Sequence, residues 1–182
     1  MEQELEQPKV ELNKMRNIEI EKVVLNIGGV GEKLDKGVLL LKEISGKTPI
    51  KIKATKRIPT WGVRPGLEVG TKVTVRGKDA EVLLKRLLPV IENTLKEKQI
   101  KDNFFSFGIA EYIEIPDIEY IREVGIMGFE VTVVFVRPGK RVEKKKMKRG
   151  SARKQVVRAE EIIKIMEEKF GTKILRKRRK EE

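Results

Sequence analysis

The chain has 182 residues, with 41 Lys and Arg against 28 Asp and Glu, a formal charge of +13 and a pI near 9.8. Cysteine and histidine are both absent, which excludes disulfides and thiolate metal sites and removes the commonest general base and metal ligand. The charge calls for a polyanionic partner or an anionic surface. No apolar run reaches the length of a membrane span, and the acidic opening (Glu2, Glu4, Glu6) resembles neither a signal nor a transit peptide. The expectation is a cytoplasmic protein with no membrane partner, no metal and no cofactor.

Residues 1–15 are polar without a clear period and read as an N-terminal extension. Ile18 to Ile27 is rich in β-branched residues and partly alternating, so a strand is expected. Gly28, Gly29 and Gly31 follow, then an apolar helix from Leu34 to Ile44 that stops at Gly46. Strand, glycine loop and helix invite a nucleotide-site assignment, but Lys33 is followed by Leu34 rather than Ser or Thr, so the P-loop fails. No third glycine completes the dinucleotide fingerprint either. A tight turn and a backbone nest for an RNA phosphate both remain open.

Pro49 to Ala54 reads as a short strand with Lys51 and Lys53 on its outer face. From Lys56 to Gly77 come the only tryptophan, Trp61, three arginines (Arg57, Arg64, Arg76) and a loop punctuated by Pro59, Gly62, Pro65, Gly66 and Gly70. Pro and Gly this dense argue for a shaped loop rather than a helix. From Val69 apolar residues alternate with Lys72, Thr74 and Arg76, a half-buried strand whose outer residues stand about 7 Å apart. An aromatic, a guanidinium and a cationic strand face suit a nucleic-acid backbone with one stacked or splayed base. The alternative is a solvated strand face with Trp61 in the core.

Asp79 is placed to cap a helix from Ala80 to about Lys98, kinked or interrupted at Pro89, with Leu83, Leu84, Leu87, Leu88, Ile91 and Leu95 as its core stripe. Asn103 to Pro116 reads as a strand pair or bent strand whose Phe105, Phe107 and Ile109 point into the core. Phe129 to Val136 is expected to be a strand largely buried on both faces. Arg137 to Arg158 then carries eleven Lys or Arg and one acid, Glu143. Such charge density is expected to keep the segment from packing on itself and to make it a mobile nucleic-acid arm in isolation. A last amphipathic helix, Ala159 to Phe170, ends at Gly171 before a basic tail over 176–182.

Several strings in order resemble the archaeal form of the universal large-subunit ribosomal protein five family. They are Asn26-Ile-Gly28, Leu41 to Pro49, Ile58-Pro-Thr-Trp-Gly-Val-Arg64, Gly70 to Gly77, Phe105 to Ile109, Ile115-Pro116 and Arg137-Pro-Gly-Lys-Arg141. The resemblance covers about Met15 to Leu175. It implies one α+β domain over 16–175, a curved antiparallel sheet with helices packed on one side and the basic arm 137–158 inserted. It also implies a non-enzymatic constituent of the large subunit that binds 5S rRNA and 23S rRNA in the central protuberance. Further implied partners are the P-site tRNA, a neighbouring 5S-associated ribosomal protein and a small-subunit head protein.

The implied 5S contacts are Asn26, Trp61, Arg64, Thr74 and Arg76, joined by Lys72 on the same strand face. Arg64, Pro65, Gly66 and Leu67 form the implied tRNA-facing loop. Lys47 stands where the family usually has glutamine, turning a base-edge contact into a phosphate contact. Ala110 replaces a common lysine, and the glycine loop is spaced differently from the archaeal pattern. In the arm the RNA-binding candidates are Arg137, Lys140, Arg141, Lys144, Lys145, Lys146, Lys148 and Arg149. Two other classes stay open: a free-standing RNA-binding regulator, separable by cosedimentation with large subunits, and a carboxylate-based hydrolase, for which no acid pair lies in a recognisable motif.

Overall fold

The structure is a computed structural model that describes residues 13–175; the expected extension up to residue 12 and the tail 176–182 lie outside the described residues. The first strand, β1 (Glu19–Gly28), alternates Val23, Leu25 and Ile27 inward with Lys22, Val24 and Asn26 outward. It leads through Gly31 into α1 (Glu32–Ser45), which ends at Gly46 in the left-handed region, where glycine carries no Cβ penalty. β2 (Ile50–Lys53) and β3 (Glu68–Arg76) follow, then α2 (Lys78–Leu87) and β4 (Thr94–Lys96). β5 (Ile100–Lys101), β6 (Phe104–Ile109) and β7 (Phe129–Val136) complete the main sheet. α3 (Ala159–Phe170) and β8 (Lys173–Leu175) close the described chain.

This is an α+β fold, as the resemblance implied. Six strands form one open antiparallel sheet in the order β2-β3-β1-β7-β6-β5. The core lies between one face of the sheet and the helices, and includes Leu25, Val131 and Val133 against Leu40, Leu41, Leu84 and Ile162. Close packing there is felt at Gly37 of α1, where a Cβ would approach Ile27 and Thr71 side-chain carbons to 3.2 Å. Phe105 and Phe107 lie in this core as expected, their ring centroids 6.0 Å apart.

Four expectations need correction. The helix after β3 is capped at Gly77 rather than Asp79 and ends at Leu87, far short of Lys98. Pro89 has no N–H to continue the ladder and starts a single 3-10 turn. Leu95 is still core, but on β4, which pairs in parallel with β8. β7 is buried on one face only: Glu130 is exposed and Thr132 and Val134 are half-covered, because no helix of the described residues crosses that side.

Lys51 lies on the helix side rather than outward, since its cross-strand partner is the buried Thr71. Its Nζ donates to Asp35 Oδ1 of α1 at 2.9 Å and stands 3.3 Å from Glu68 Oε2. These two bonds hold the ammonium above its ordinary pKa. The basic segment, finally, does fold back on itself. A Cβ on Gly150 would stand 2.8 Å from Val142 Cγ1, and the Ala152 N–H donates to Glu143 Oε1 at 3.0 Å. Ala152 and Val157 are buried. The few small and apolar residues make these contacts while the cations project outward, which separates backbone compaction from charge repulsion.

Candidate nucleic-acid interface

The uncovered face of the sheet follows from the register. One row across β2, β3, β1, β7 and β6 reads Ile50, Lys72, Asn26, Glu130, Gly108. The next reads Thr74, Val24, Thr132, Ser106, and the third Arg76, Lys22, Val134, Phe104, Lys101. At about 4.8 Å per strand the six strands present a surface about 24 Å wide. It is mostly small or cationic, with Glu130 as the one acid in these rows.

Lys22 and Arg76 are direct cross-strand partners. Like charges in that position destabilise a strand pair, and among the described residues neither has an ion-pair partner. A polyanion lying across the face would relieve that repulsion. Two glycines point the same way. A Cβ added at Gly28 or Gly108 meets nothing within 4 Å, and neither residue has a positive φ. Neither crowding inside the fold nor backbone conformation therefore requires glycine there, and both positions leave the backbone open to close approach from outside.

Asn26, Lys72, Thr74 and Arg76 are thus brought together, as the alternation of their two strands predicts. Lys22 and Lys101 belong to the same face but were not selected from the sequence. The alternation of Lys22 with Val23 was a usable signal for the first; the second depends on a two-residue strand too short to carry a period.

Trp61 sits beyond the Gly28 end of this face. Ile58 and Val63 exchange backbone hydrogen bonds of 3.0 and 3.1 Å, closing a small loop over the 3-10 turn Pro59–Trp61. Val63 is buried and anchors the loop, while Trp61 is 75% exposed. The core alternative for Trp61 is thereby set aside. An apolar groove of about 660 Å³ runs beside it, walled by Gly28, Gly29, Val30, Ile58 and Val69, with Lys56 as the only charged residue in its lining.

Arg64, Pro65, Gly66 and Leu67 form one tight turn. The Leu67 N–H donates to Arg64 O at 3.1 Å, and Gly66 takes φ +87°, the arrangement of a type II turn with Pro second and Gly third. The Ala54 N–H donates to Leu67 O and the Gly66 N–H to Ala54 O, each at 2.8 Å, so the turn is stitched to the chain leaving β2 and Arg64 projects exposed. Lys47 is less available, because its Nζ bonds Asp79 Oδ2 at 3.0 Å in the first turn of α2.

The basic segment splits into anchors and free cations. Arg137 is largely buried in an ion pair with Glu161 of α3. Lys140 Nζ donates to Asn103 Oδ1 at 3.3 Å, and the Val157 N–H donates to the same oxygen at 3.0 Å. The Asn103 N–H in turn donates to Val157 O at 2.9 Å. Asn103, at φ +69° in the turn between β5 and β6, therefore ties both ends of the segment to the sheet. Lys144 Nζ bonds Glu21 Oε1 at 2.7 Å, reaching the carboxylate where β1 shifts register. That hydrogen bond holds the Glu21 carboxyl below its usual range. Arg141, Lys145, Lys146, Lys148 and Arg149 are exposed, and Arg149 Nε donates to Lys145 O at 2.8 Å.

Among the described residues no group of three or more acids is arranged to hold a metal ion, and no helix is long and apolar enough to cross a membrane.

The chain matches the family described as ribosomal protein L5 over residues 13–64 and the ribosomal L5P family C-terminus over 68–166. It is 46% identical over 165 residues to the large ribosomal subunit protein uL5 of Nanoarchaeum equitans, covering 88% of this chain and 98% of that protein. It is 41% identical over 168 residues to the uL5 protein of Sulfolobus acidocaldarius, covering 90% and 94% respectively. Two matches that between them span most of the described chain, with relatives aligned nearly end to end, leave one assignment: the chain belongs to the ribosomal protein L5 family, a structural and non-enzymatic one.

Proposed function

We propose that this protein is a structural constituent of the large subunit of a cytoplasmic ribosome and binds 5S rRNA on the open face of its sheet. The observation that carries this reading is the Lys22–Arg76 cross-strand pair, without an ion-pair partner among the described residues, set beside Lys72 and Asn26 on a face that no described helix covers. In that reading Lys22, Lys72 and Arg76 neutralise phosphates, while Asn26 and Thr74 offer short polar groups to sugars or base edges. Trp61 and Arg64 contact nucleotides beyond the Gly28 end. The free cations from Arg141 to Arg149 lie on 23S rRNA, with Arg137, Lys140 and Lys144 chiefly holding the arm in place. The Arg64–Leu67 turn, stiffened by its hydrogen bonds, meets the P-site tRNA.

Protein partners need a different surface. The connection from Glu111 to Glu123 carries five carboxylates against Arg122, and exposes Ile113 and Tyr120. It suits a basic protein segment such as one from a small-subunit head protein or a neighbouring 5S-associated protein. Capture of cellular RNA on the immobilised protein, followed by sequencing, tests the central assignment. The expected result is strong enrichment of 5S rRNA; recovery of tRNA or messenger RNA without 5S rRNA would contradict it.

A further inference from the structure

The main sheet has one edge long enough to take a partner strand and open to solvent. β2 ends the strand order, and its Ile50, Lys51 and Lys53 are all exposed, Ile50 to 65%. The opposite edge, β5, is two residues long and its Ile100 is buried. Which backbone groups β2 leaves free follows from the alternation of an antiparallel ladder. Just beyond β2 the Ala54 N–H donates to Leu67 O and the Ala54 carbonyl accepts from the Gly66 N–H, so Ala54 turns its backbone inward. The register shift between Ile52 and Lys53 does not disturb the count. There the partner steps from Gly70 to Glu68, so the extra residue, Val69, lies on β3. Ile50 and Ile52 therefore bond toward β3, and Lys51 and Lys53 turn their N–H and C=O groups away from the sheet. Side chains alternate as well: Ile50 and Ile52 share the open face with Lys72, while Lys51 and Lys53 lie on the helix side.

We propose that the β2 edge is a docking surface for an extended protein segment that alternates apolar with acidic residues and joins the sheet as a seventh strand. Outward N–H and C=O groups in alternation match another polypeptide backbone. An RNA strand would offer phosphate oxygens to the N–H groups but would set the same oxygens against the two carbonyls. A second copy of this edge also fits poorly, because it would bring Lys51 and Lys53 against the same two lysines in a protein of charge +13. For an acidic segment those charges attract. Lys51 is already held by Asp35 and Glu68. Among the described residues Lys53, Lys56 and Arg57 have no carboxylate within ion-pair distance. The carboxylates of the added strand therefore lie beside Lys53 and on toward Lys56 and Arg57. Its apolar side chains cover Ile50 and Ile52. The lysines that guard the edge against its own kind select the partner.

The probe is an acetylated, amidated hexapeptide alternating valine with glutamate, titrated into the isotope-labelled full chain and followed by NMR. The Lys51 and Lys53 amides are expected to shift and to gain hydrogen-exchange protection, while those of Ile50 and Ile52, already bonded to β3, keep theirs. The same peptide methylated on the backbone nitrogens that would face β2 keeps its charge and is expected to do neither. Lys53→Glu is expected to weaken binding about two- to fivefold, the range that one exposed ion pair supports. The proposal is overturned if the peptide leaves the two amides unprotected, if the methylated peptide protects them equally, or if folded Lys53→Glu binds as wild type does. If Lys53→Glu fails to fold, the methylated peptide on wild type decides. A single-stranded oligouridylate of equal charge that protects both amides as well as the peptide does would overturn it in favour of RNA. Protection that arises without peptide and grows with protein concentration would overturn it in favour of an interface between copies.

Discussion

Replacing Trp61 with alanine separates recognition from stability. The side chain is 75% exposed at the tip of a closed loop whose buried anchor is Val63. A core aromatic truncated to alanine costs about 3–5 kcal/mol; with only about a quarter of the residue covered, the folding cost here should stay below about 1 kcal/mol on that scale. Binding is another matter. Covering one face of the indole removes roughly 100 Å² from water, about 2.5 kcal/mol at 25 cal/mol per Å². That agrees with the roughly 1–3 kcal/mol measured for single base–aromatic contacts. Trp61→Ala should therefore melt within a few degrees of wild type by circular dichroism. It should bind 5S rRNA about five- to a hundredfold more weakly in filter binding. Trp61→Phe keeps a ring in place and should recover most of the affinity. A strongly destabilised alanine variant whose folded fraction binds normally would refute the reasoning.

Three further outcomes are expected. Lys72→Ala and Arg76→Ala should each lower the slope of log affinity against log salt by roughly 0.7–0.9, one phosphate apiece; an unchanged slope would remove that residue from the interface. Asn103→Ala loses the oxygen that accepts from Lys140 and Val157, and with it the polar side chain that makes the left-handed region tolerable for asparagine. It should expose the 140–158 arm to trypsin and cost about 1–3 kcal/mol in thermal unfolding. Asn103→Gly should open the arm with a smaller stability loss, because glycine tolerates that φ; protection of the arm in both variants would exclude the tie. For Glu21, whose folded pKa lies below the usual 4.5, docking of Lys144 should be fully present above that value. It should be lost only as pH falls through the lowered folded pKa. Hydrogen-exchange protection over residues 140–148, taken relative to the intrinsic rate at each pH, should therefore fall in acid for wild type. In Glu21→Gln that protection should already be low at neutral pH.

Most of the sheet was legible because its strands alternate sharply. Leu25 with Asn26 and Val73 with Lys72 announce one buried and one open face without reference to the rest of the chain. Which side the helices cover was not legible for β2, whose Lys51 reads as an outward cation until register places it opposite Thr71. The same limit hid Lys22. Its meaning comes from Arg76, 54 positions later along the chain, and no local pattern records a cross-strand pair. The overlong second helix has a related cause. Leucines from Leu83 to Leu95 keep a helical period, yet Leu95 is claimed by β4 through its pairing with β8 nearly 80 residues onward. The arm was misjudged from charge alone, since the Glu143 and Asn103 side chains accept from the Ala152 and Val157 amides and Gly150 leaves room for Val142, contacts that composition does not register.

If the open sheet face binds 5S rRNA, its cations must matter more than positive charge elsewhere on the protein. The direct measurement compares two charge reversals of equal size. Lys72→Glu with Arg76→Glu changes the open face, while Lys36→Glu with Lys42→Glu changes the exposed side of α1 in the helix layer. Both pairs shift net charge equally, so any long-range electrostatic effect is shared. In filter binding at fixed ionic strength, the sheet-face pair should lose at least about a hundredfold in 5S rRNA affinity, roughly the cost of losing two phosphate contacts and repelling the strand. The helix-layer pair should stay within a few-fold of wild type. Equal losses in the two would contradict the claim and reduce the interaction to net charge.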